Sequence, residues 1–287
     1  MLNFQVVDAF SRTAYGGNPT CVTVLPIGGR MSDGMLARLA RESGQPTTSF
    51  VDLVDASYRT FDRQGAELPM LSGHSTLGVA AAVMARDNNA SQLTLRTKHG
   101  DVHMARDGDG LYEIGLPLSK EGGQIFSTCG RFDQLAHAFG LHEGHPAMIT
   151  FGSVLQPELW FMEVTPAAFA SLQVDIAKVR ALPVLGAFVT AEGMAASHPA
   201  CTDPKSIDFS VRYFVPKLGI DEDIATGSIH NFLYPFWASR LGVRPLRCWQ
   251  NSARGGLVRS RRAEDGRVHV AGHCALSLRG TAPLPDA

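Results

Sequence analysis

The feature that most constrains this chain is a helix with no polar side. Gly73-His74-Ser75-Thr76 opens a helical stretch to about residue 86, and its interior, from Leu77 through Val79 and Ala80–Ala82 to Met84, is apolar all round. Such a helix is buried on every side. A single covering layer cannot do that, so strands must wrap it. Strand-like runs are present on both sides: residues 4–10, 21–25, 48–54 and 58–61 before it, and 93–96, 102–106 and 111–116 after it. Asp107-Gly108-Asp109-Gly110 is a hairpin turn between the last two, and Ser32 or Asp33 can cap a further helix over 32–42.

The same order of elements then returns. Asn18-Pro19 and its strand are echoed by Gln156-Pro157 and residues 159–164, and the helix at 32–42 by residues 166–182. Arg59-Thr60-Phe61 is echoed by Arg212-Tyr213-Phe214, with Phe61 standing 12 residues before Gly73 and Phe214 standing 13 before Gly227. Gly227-Ser228 again opens an apolar helix, followed by strands at 246–249, 257–261 and 268–271. Pro235 should kink or end that helix beyond Tyr234. The halves share element order rather than residues, which predicts an α+β chain of two similar lobes from an old duplication, each wrapped on one central helix. The expected lobes are 1–117 and 118–287, with the Pro- and Gly-bearing stretch 113–132 as linker and terminal strands free to cross between lobes; residues 192–206 read as an inserted loop.

Composition removes several functions. Net charge is −1, against a phosphate-backbone binder, and the longest apolar runs, 77–85 and 181–189, are half of the ~20 residues a membrane span requires. The first residues have neither a basic nor an apolar leader region, and the five cysteines are odd in number and widely spaced, so a reducing cytoplasm is expected. His142-x-x-His145 and His99-x-x-x-His103 have no third ligand at recognisable spacing, so no metal is expected. No phosphate-cradling glycine motif follows a strand, and no cofactor is expected.

Two equivalent helix starts remain, Gly73-His74 and Gly227-Ser228. Each offers free backbone N–H groups and the positive end of a helix dipole, and glycine lets a ligand approach closely. Facing one cleft, two such ends suit a carboxylate or a developing oxyanion. His74 at one end and Asp223 just before the other are an acid–base pair for proton abstraction beside a carbonyl. The bland alternative is ordinary capping by Asp223 or Thr226. His230, three residues into the second start, reads first as a buried imidazole and second as a group reaching the site.

These motifs together resemble the PhzF-like phenazine-biosynthesis family, which shares the diaminopimelate epimerase fold. The matching pieces, in order, are Val7-Asp8-Ala9-Phe10 with Gly17-Asn18-Pro19, Gly73-His74-Ser75-Thr76-Leu77-Gly78, Arg212-Tyr213-Phe214-Val215-Pro216, Glu222-Asp223-Ile224-Ala225-Thr226-Gly227-Ser228, and Gln250 with Arg254-Gly255-Gly256. The resemblance implies two β-barrel-like lobes, a homodimer, and site positions at Gly73, His74, Asp223, Gly227 and Ser228. In that family a glutamate before a Phe is the base; aligned on Arg41-Glu42 and Phe50, its position here holds Thr47. A threonine hydroxyl takes no proton near neutral pH without a separate base. Three outcomes stay open: an isomerase or tautomerase whose base is His74 or Asp223, a carbon–carbon bond hydrolase on a pyrroline-type acid of an alkylproline antibiotic pathway, or a binder of small acids. In each, Asn18, Thr47, Gly73, Ser75, Gly227 and Ser228 contact a small unsaturated carboxylic or amino acid.

Overall fold

A computed structural model describes residues 1–27, 31–87, 89–116, 132–141, 148–155, 158–193 and 198–283. In chain order the first elements are β1 (Leu2–Ala9), β2 (Asn18–Val24), α1 (Asp33–Ser43), β3 (Thr47–Asp52), β4 (Ser57–Asp62), α2 (Gly73–Met84), β5 (Gln92–Thr97), β6 (Gly100–Arg106) and β7 (Leu111–Gly115). Then come α3 (Phe132–Ala138), β8 (Met148–Leu155), β9 (Glu158–Val164), α4 (Pro166–Ala170), α5 (Ile176–Ala181), β10 (Gly186–Glu192), β11 (Phe209–Val215) and β12 (Ile220–Asp223). The last are α6 (His230–Leu241), β13 (Leu246–Gln250), β14 (Gly256–Arg262) and β15 (Val268–Ala282).

The chain forms two compact units, Met1–Pro117 with Ala263–Ala287, and Leu118–Arg262. By this division residues 263–287, expected in the second lobe unless terminal strands cross, fall with the first unit. The reason is pairing: β15 runs antiparallel to both β1 and β7. Most of the expected linker, and with it Cys129, His142, His145 and the Gln156-Pro157 echo, lies outside the described residues.

In the first unit the strand order β1-β2-β3-β4-β5-β6-β7-β15 returns to β1 and closes an eight-stranded barrel. Parallel neighbours need a crossover connection. The parallel pair β2/β3 is joined through α1, and the parallel pair β4/β5 through α2. Strand parity sends the two helices to opposite faces of the wall. Phe50 of β3 and Phe61 of β4 pack with Leu36 and Ala40 of α1, while Thr47 of β3 and Tyr58 of β4 reach α2 side chains. α2 packs against β1, β2, β3, β5, β6, β7 and β15, and only Val83 of its twelve residues escapes full burial. Gly78 makes the approach to β2 possible: a Cβ there would stand 2.2 Å from Thr20 Cγ2. α1 is capped by Ser32, whose Oγ accepts from the Met35 amide, and closes on Gly44 at φ 64.

The second unit repeats this plan, with strand order β14-β13-β11-β10-β9-β8 and β12 beside β11. Its parallel pairs are β9/β10, joined through α4 and α5, and β11/β13, joined through α6. β9 alternates as a strand covered on both faces should. Phe161 meets Phe232 of α6 at 4.6 Å between ring centroids, while Trp160 and Met162 pack with α3, α4 and α5. The Arg-x-Phe echo is a three-dimensional one. Arg59 lies 5.1 Å from the Phe61 ring and pairs with Glu67 at 2.6 Å; Arg212 lies 5.1 Å from the Phe214 ring and pairs with Glu222 at 2.7 Å.

Two expectations for the second central helix are corrected. α6 starts at His230, because Gly227 and Ser228 are wound into i→i+3 turns, with the His230 amide on the Gly227 carbonyl and the Asn231 amide on that of Ser228. It also runs through Pro235 to Leu241. Burial of Phe232, Leu233, Phe236 and Trp237, at roughly 1.5–3 kcal/mol for each large side chain, outweighs the ~3 kcal/mol an interior proline costs.

Candidate active site

The inward faces of β2 and β3 and the first turn of α2 bring together a knot of hydroxyls around one imidazole. Thr47 opens β3 and is buried; its Oγ1 lies 2.9 Å from Thr20 Oγ1, 3.0 Å from His74 Nε2 and 2.7 Å from Ser75 Oγ. Ser75 donates to Ser72 Oγ at 2.8 Å, and Ser72 Oγ is 3.1 Å from His74 Nδ1. Thr47, Ser75, Ser72 and His74 thus close a ring. Asn18, two residues before Thr20 in β2, shares its inward face.

Proton counting assigns the histidine tautomer. The Thr20 proton goes to the Thr47 carbonyl and the Ser75 proton to Ser72. Thr47 has one proton for Thr20 and Ser75, and none for His74. His74 Nε2 is therefore the N–H, and Nδ1 accepts from Ser72. Burial pushes the His74 pKa down to about 4, so the ring is neutral at pH 7. The ring contains no carboxylate, and its one titratable group, His74, stays neutral near pH 7. Because Ser72 spends its side chain here, it does not cap α2, and the first-turn amides from Gly73 onward are uncapped by a side chain. A cavity of about 20 Å³, water-sized, borders Ser72.

The second unit arranges a different set. Asp223 ends β12; its Oδ1 accepts from the Ile224 amide at 2.9 Å and its Oδ2 from Thr226 Oγ1 at 2.5 Å. Gln250 locks the turn, accepting from the Thr226 amide at 2.7 Å and donating to the Asp223 carbonyl at 2.7 Å. Gly227 is buried and Ser228 half-buried at the turn before α6. His230 is fully buried, 6.0 Å from the Phe209 ring, and neither ring nitrogen has a hydrogen-bond partner among the described residues. Of its two readings, the buried imidazole is the one the packing supports.

Thr47, Gly73, His74 and Ser75 are therefore brought together with Thr20 in the first unit, and Asp223, Gly227 and Ser228 in the second. Sequence reasoning misses the roles of Thr20 and Ser72. Strand parity from Asn18 points to the first; Ser72 carries no signal beyond its place next to Gly73-His74. Gln250 sits in a quoted motif, but only the fold shows it clamping Thr226. His103, from the rejected metal pairs, is exposed and bonded to Thr94 at 2.8 Å.

The family model described as phenazine biosynthesis-like protein matches residues 7–280. An uncharacterized isomerase of Pseudomonas aeruginosa is 32% identical, the match covering 98% of each chain. Among solved structures, a phenazine biosynthesis PhzC/PhzF protein from Clostridium difficile superposes with a TM-score of 0.81 at 27% identity, over 99% of this chain and 100% of that one. A hydroxyproline epimerase from Agrobacterium vitis, at 13% identity, matches 97% of this chain and 90% of its own with a TM-score of 0.51, which extends the fold likeness to epimerases. With the barrel, the helix-start histidine and a family match over nearly its whole length, the chain belongs to the phenazine biosynthesis-like (PhzC/PhzF) protein family.

Proposed function

We propose that this protein is an isomerase or tautomerase that moves a proton on a small unsaturated carboxylic or amino acid, without a cofactor. The observation that carries the reading is the closed ring of Thr47, Ser75, Ser72 and His74. A neutral imidazole with a proton on Nε2 and a lone pair on Nδ1 can give one proton and take another without leaving its place. Thr47 Oγ1, the hub, is the group that passes the Nε2 proton on. The uncapped amides at Gly73 hold a carboxylate or enolate oxygen, with Asn18 and Ser75 as further contacts. Asp223 is assigned the second proton-transfer role, and Gly227 and Ser228 a share in anion binding. The isomerase name of the Pseudomonas aeruginosa relative supports the reaction class.

The absence of a carboxylate from the ring favours a second reading, in which the hydroxyls orient water for cleavage of an activated carbon–carbon bond. One experiment separates them. Candidate acids are incubated with the enzyme in D₂O and followed by NMR. Proton transfer predicts deuterium on a substrate carbon and an isomer of unchanged mass apart from that label; hydrolysis predicts two fragments. Ligand-induced melting shifts with neither product would leave a binding protein. If His74→Ala retained full turnover, the assignment of the ring would be wrong.

A further inference from the structure

The barrel holds a second cavity, away from the hydroxyl ring. A cavity of about 270 Å³ opens at the C-terminal end of α2, floored by Ala81, Ala82 and Ala85 and walled by β1 and β15. His74 and Ala85 are eleven residues apart on α2, about 16 Å at the helical rise, so this is not the hydroxyl ring.

Its wall has an irregularity with a consequence. Val7 pairs with Leu276 and Val6 with Leu278, which leaves Ser277 as an extra residue in β15, its Oγ donating to the Val6 carbonyl at 3.0 Å. A β-bulge of this kind re-aims the side chains that follow it. Leu276 and Arg279, three apart, both line the cavity; a regular strand would place them on opposite faces. The bulge breaks that alternation, so Arg279, itself solvent-exposed, borders the cavity, and Leu278 is 53% exposed. Arg86, just past the end of α2, is the second guanidinium of the lining. Neither arginine side chain has an ion-pair or hydrogen-bond partner among the described residues, and no Asp or Glu lines the cavity. Arg86 alone would be ordinary compensation of the helix C-terminus. That account leaves Arg279 unexplained. Gln5, its ladder partner, and Tyr112 add an amide and a phenol to the lining. The Cys274 thiol also borders the space, but it donates to the Leu77 carbonyl and burial raises its pKa to about 12, so it is not a thiolate there.

We propose that this cavity binds a small organic anion, a carboxylate or phosphate held between Arg86 and Arg279 with its apolar body on the alanine floor. Guanidiniums lining one cavity suit planar carboxylate and phosphate oxygens. The volume, just below the ~300–1,000 Å³ usual for small-molecule sites, suits a one-ring acid.

Benzoate and phenyl phosphate are titrated separately into the full-length protein, with amide chemical shifts as the readout; the two arms distinguish carboxylate from phosphate. The expected result is one saturable site for at least one probe, with shifts at Ala82, Ala85 and Leu276. Arg279→Gln and Arg86→Gln should each weaken it at least tenfold, and His74→Ala should leave it unchanged. Melting temperature confirms that each variant folds. The proposal is overturned if neither probe saturates in the millimolar range, if the arginine variants bind as well as the parent, or if His74→Ala abolishes the shifts. A change of oligomeric state in the arginine variants, without probe binding, would overturn it in favour of a contact between copies of the chain.

Discussion

Thr47 shows what one residue decides here. It has a single proton and three polar neighbours, and that shortage fixes His74 as the Nε2–H tautomer. Thr47→Val removes the hub and leaves the buried His74 N–H only its long 3.4 Å contact to Ser75 Oγ, a loss of about 1–3 kcal/mol of stability and, with the relay broken, of about 10²-fold or more in turnover. Thr47→Ser restores the oxygen and should stay within a few-fold of the parent. Equal loss in both variants would show that the hydroxyl is not the working group. His230 gives a different test. Burial pushes its pKa down to about 3, and that of His74 to about 4, from 6.5. Groups with lowered basicity in the folded state stay neutral while the unfolded chain takes up protons below about pH 6.5. Stability is therefore full above that value and falls as pH drops from there toward 4 and 3. His230→Leu removes two buried, unpartnered nitrogens, so it should raise the melting temperature, and more at pH 5 than at pH 8. An equal rise at both would remove His230 from the pH dependence. The helix-start histidine and Thr47 were legible in the sequence because their neighbours form motifs. Thr20 and Ser72 were not, because a ring closed across three elements leaves no spacing in the chain.

Among elements, α2 was the most legible and also hides the sharpest constraint. Its all-apolar surface announces complete burial, but nothing in the pattern says which residue meets which strand. Gly78 is the closest contact: a methyl there falls 2.2 Å from Thr20 Cγ2. In an exposed helix, Gly→Ala gains about 1 kcal/mol. Here Gly78→Ala should instead cost about 1–3 kcal/mol through overpacking. It should also reduce turnover, since the methyl displaces Thr20, which hydrogen-bonds Thr47. Paired chemical denaturation and kinetics check both; a stabilised variant with parental activity would contradict the packing. The proline rule understates α6, because it describes isolated helices, whereas the aromatic side chains around Pro235 are held by β9, β10 and β11. The i→i+3 winding of Gly227 and Ser228 left no trace in composition; the Asp223–Thr226–Gln250 bonding that sets this turn spans 27 residues of sequence.

At the scale of the whole chain, the duplication was readable but its boundary was not, since a terminal strand carries no mark of the sheet it will join. The first unit is discontinuous: its barrel runs from β1 to β7, and the chain supplies residues 118–262 before β15 returns to close it. β15 satisfies the backbone of β1 on one side and β7 on the other, and its Cys274 reaches α2 itself. Without it, two strands become open edges, which are unstable and prone to foreign pairing, and α2 loses part of the wall that its apolar surface requires. A chain ending at Arg262 should therefore lose the first unit selectively. Amide hydrogen exchange reports this directly: protection should collapse across α2 and β1–β7 while α6 and β9–β11, whose partners all lie between 118 and 262, keep theirs. Persistent protection of the Leu77 and Val79 amides in the shortened chain would mean that seven strands suffice and that barrel closure does not hold the helix in place.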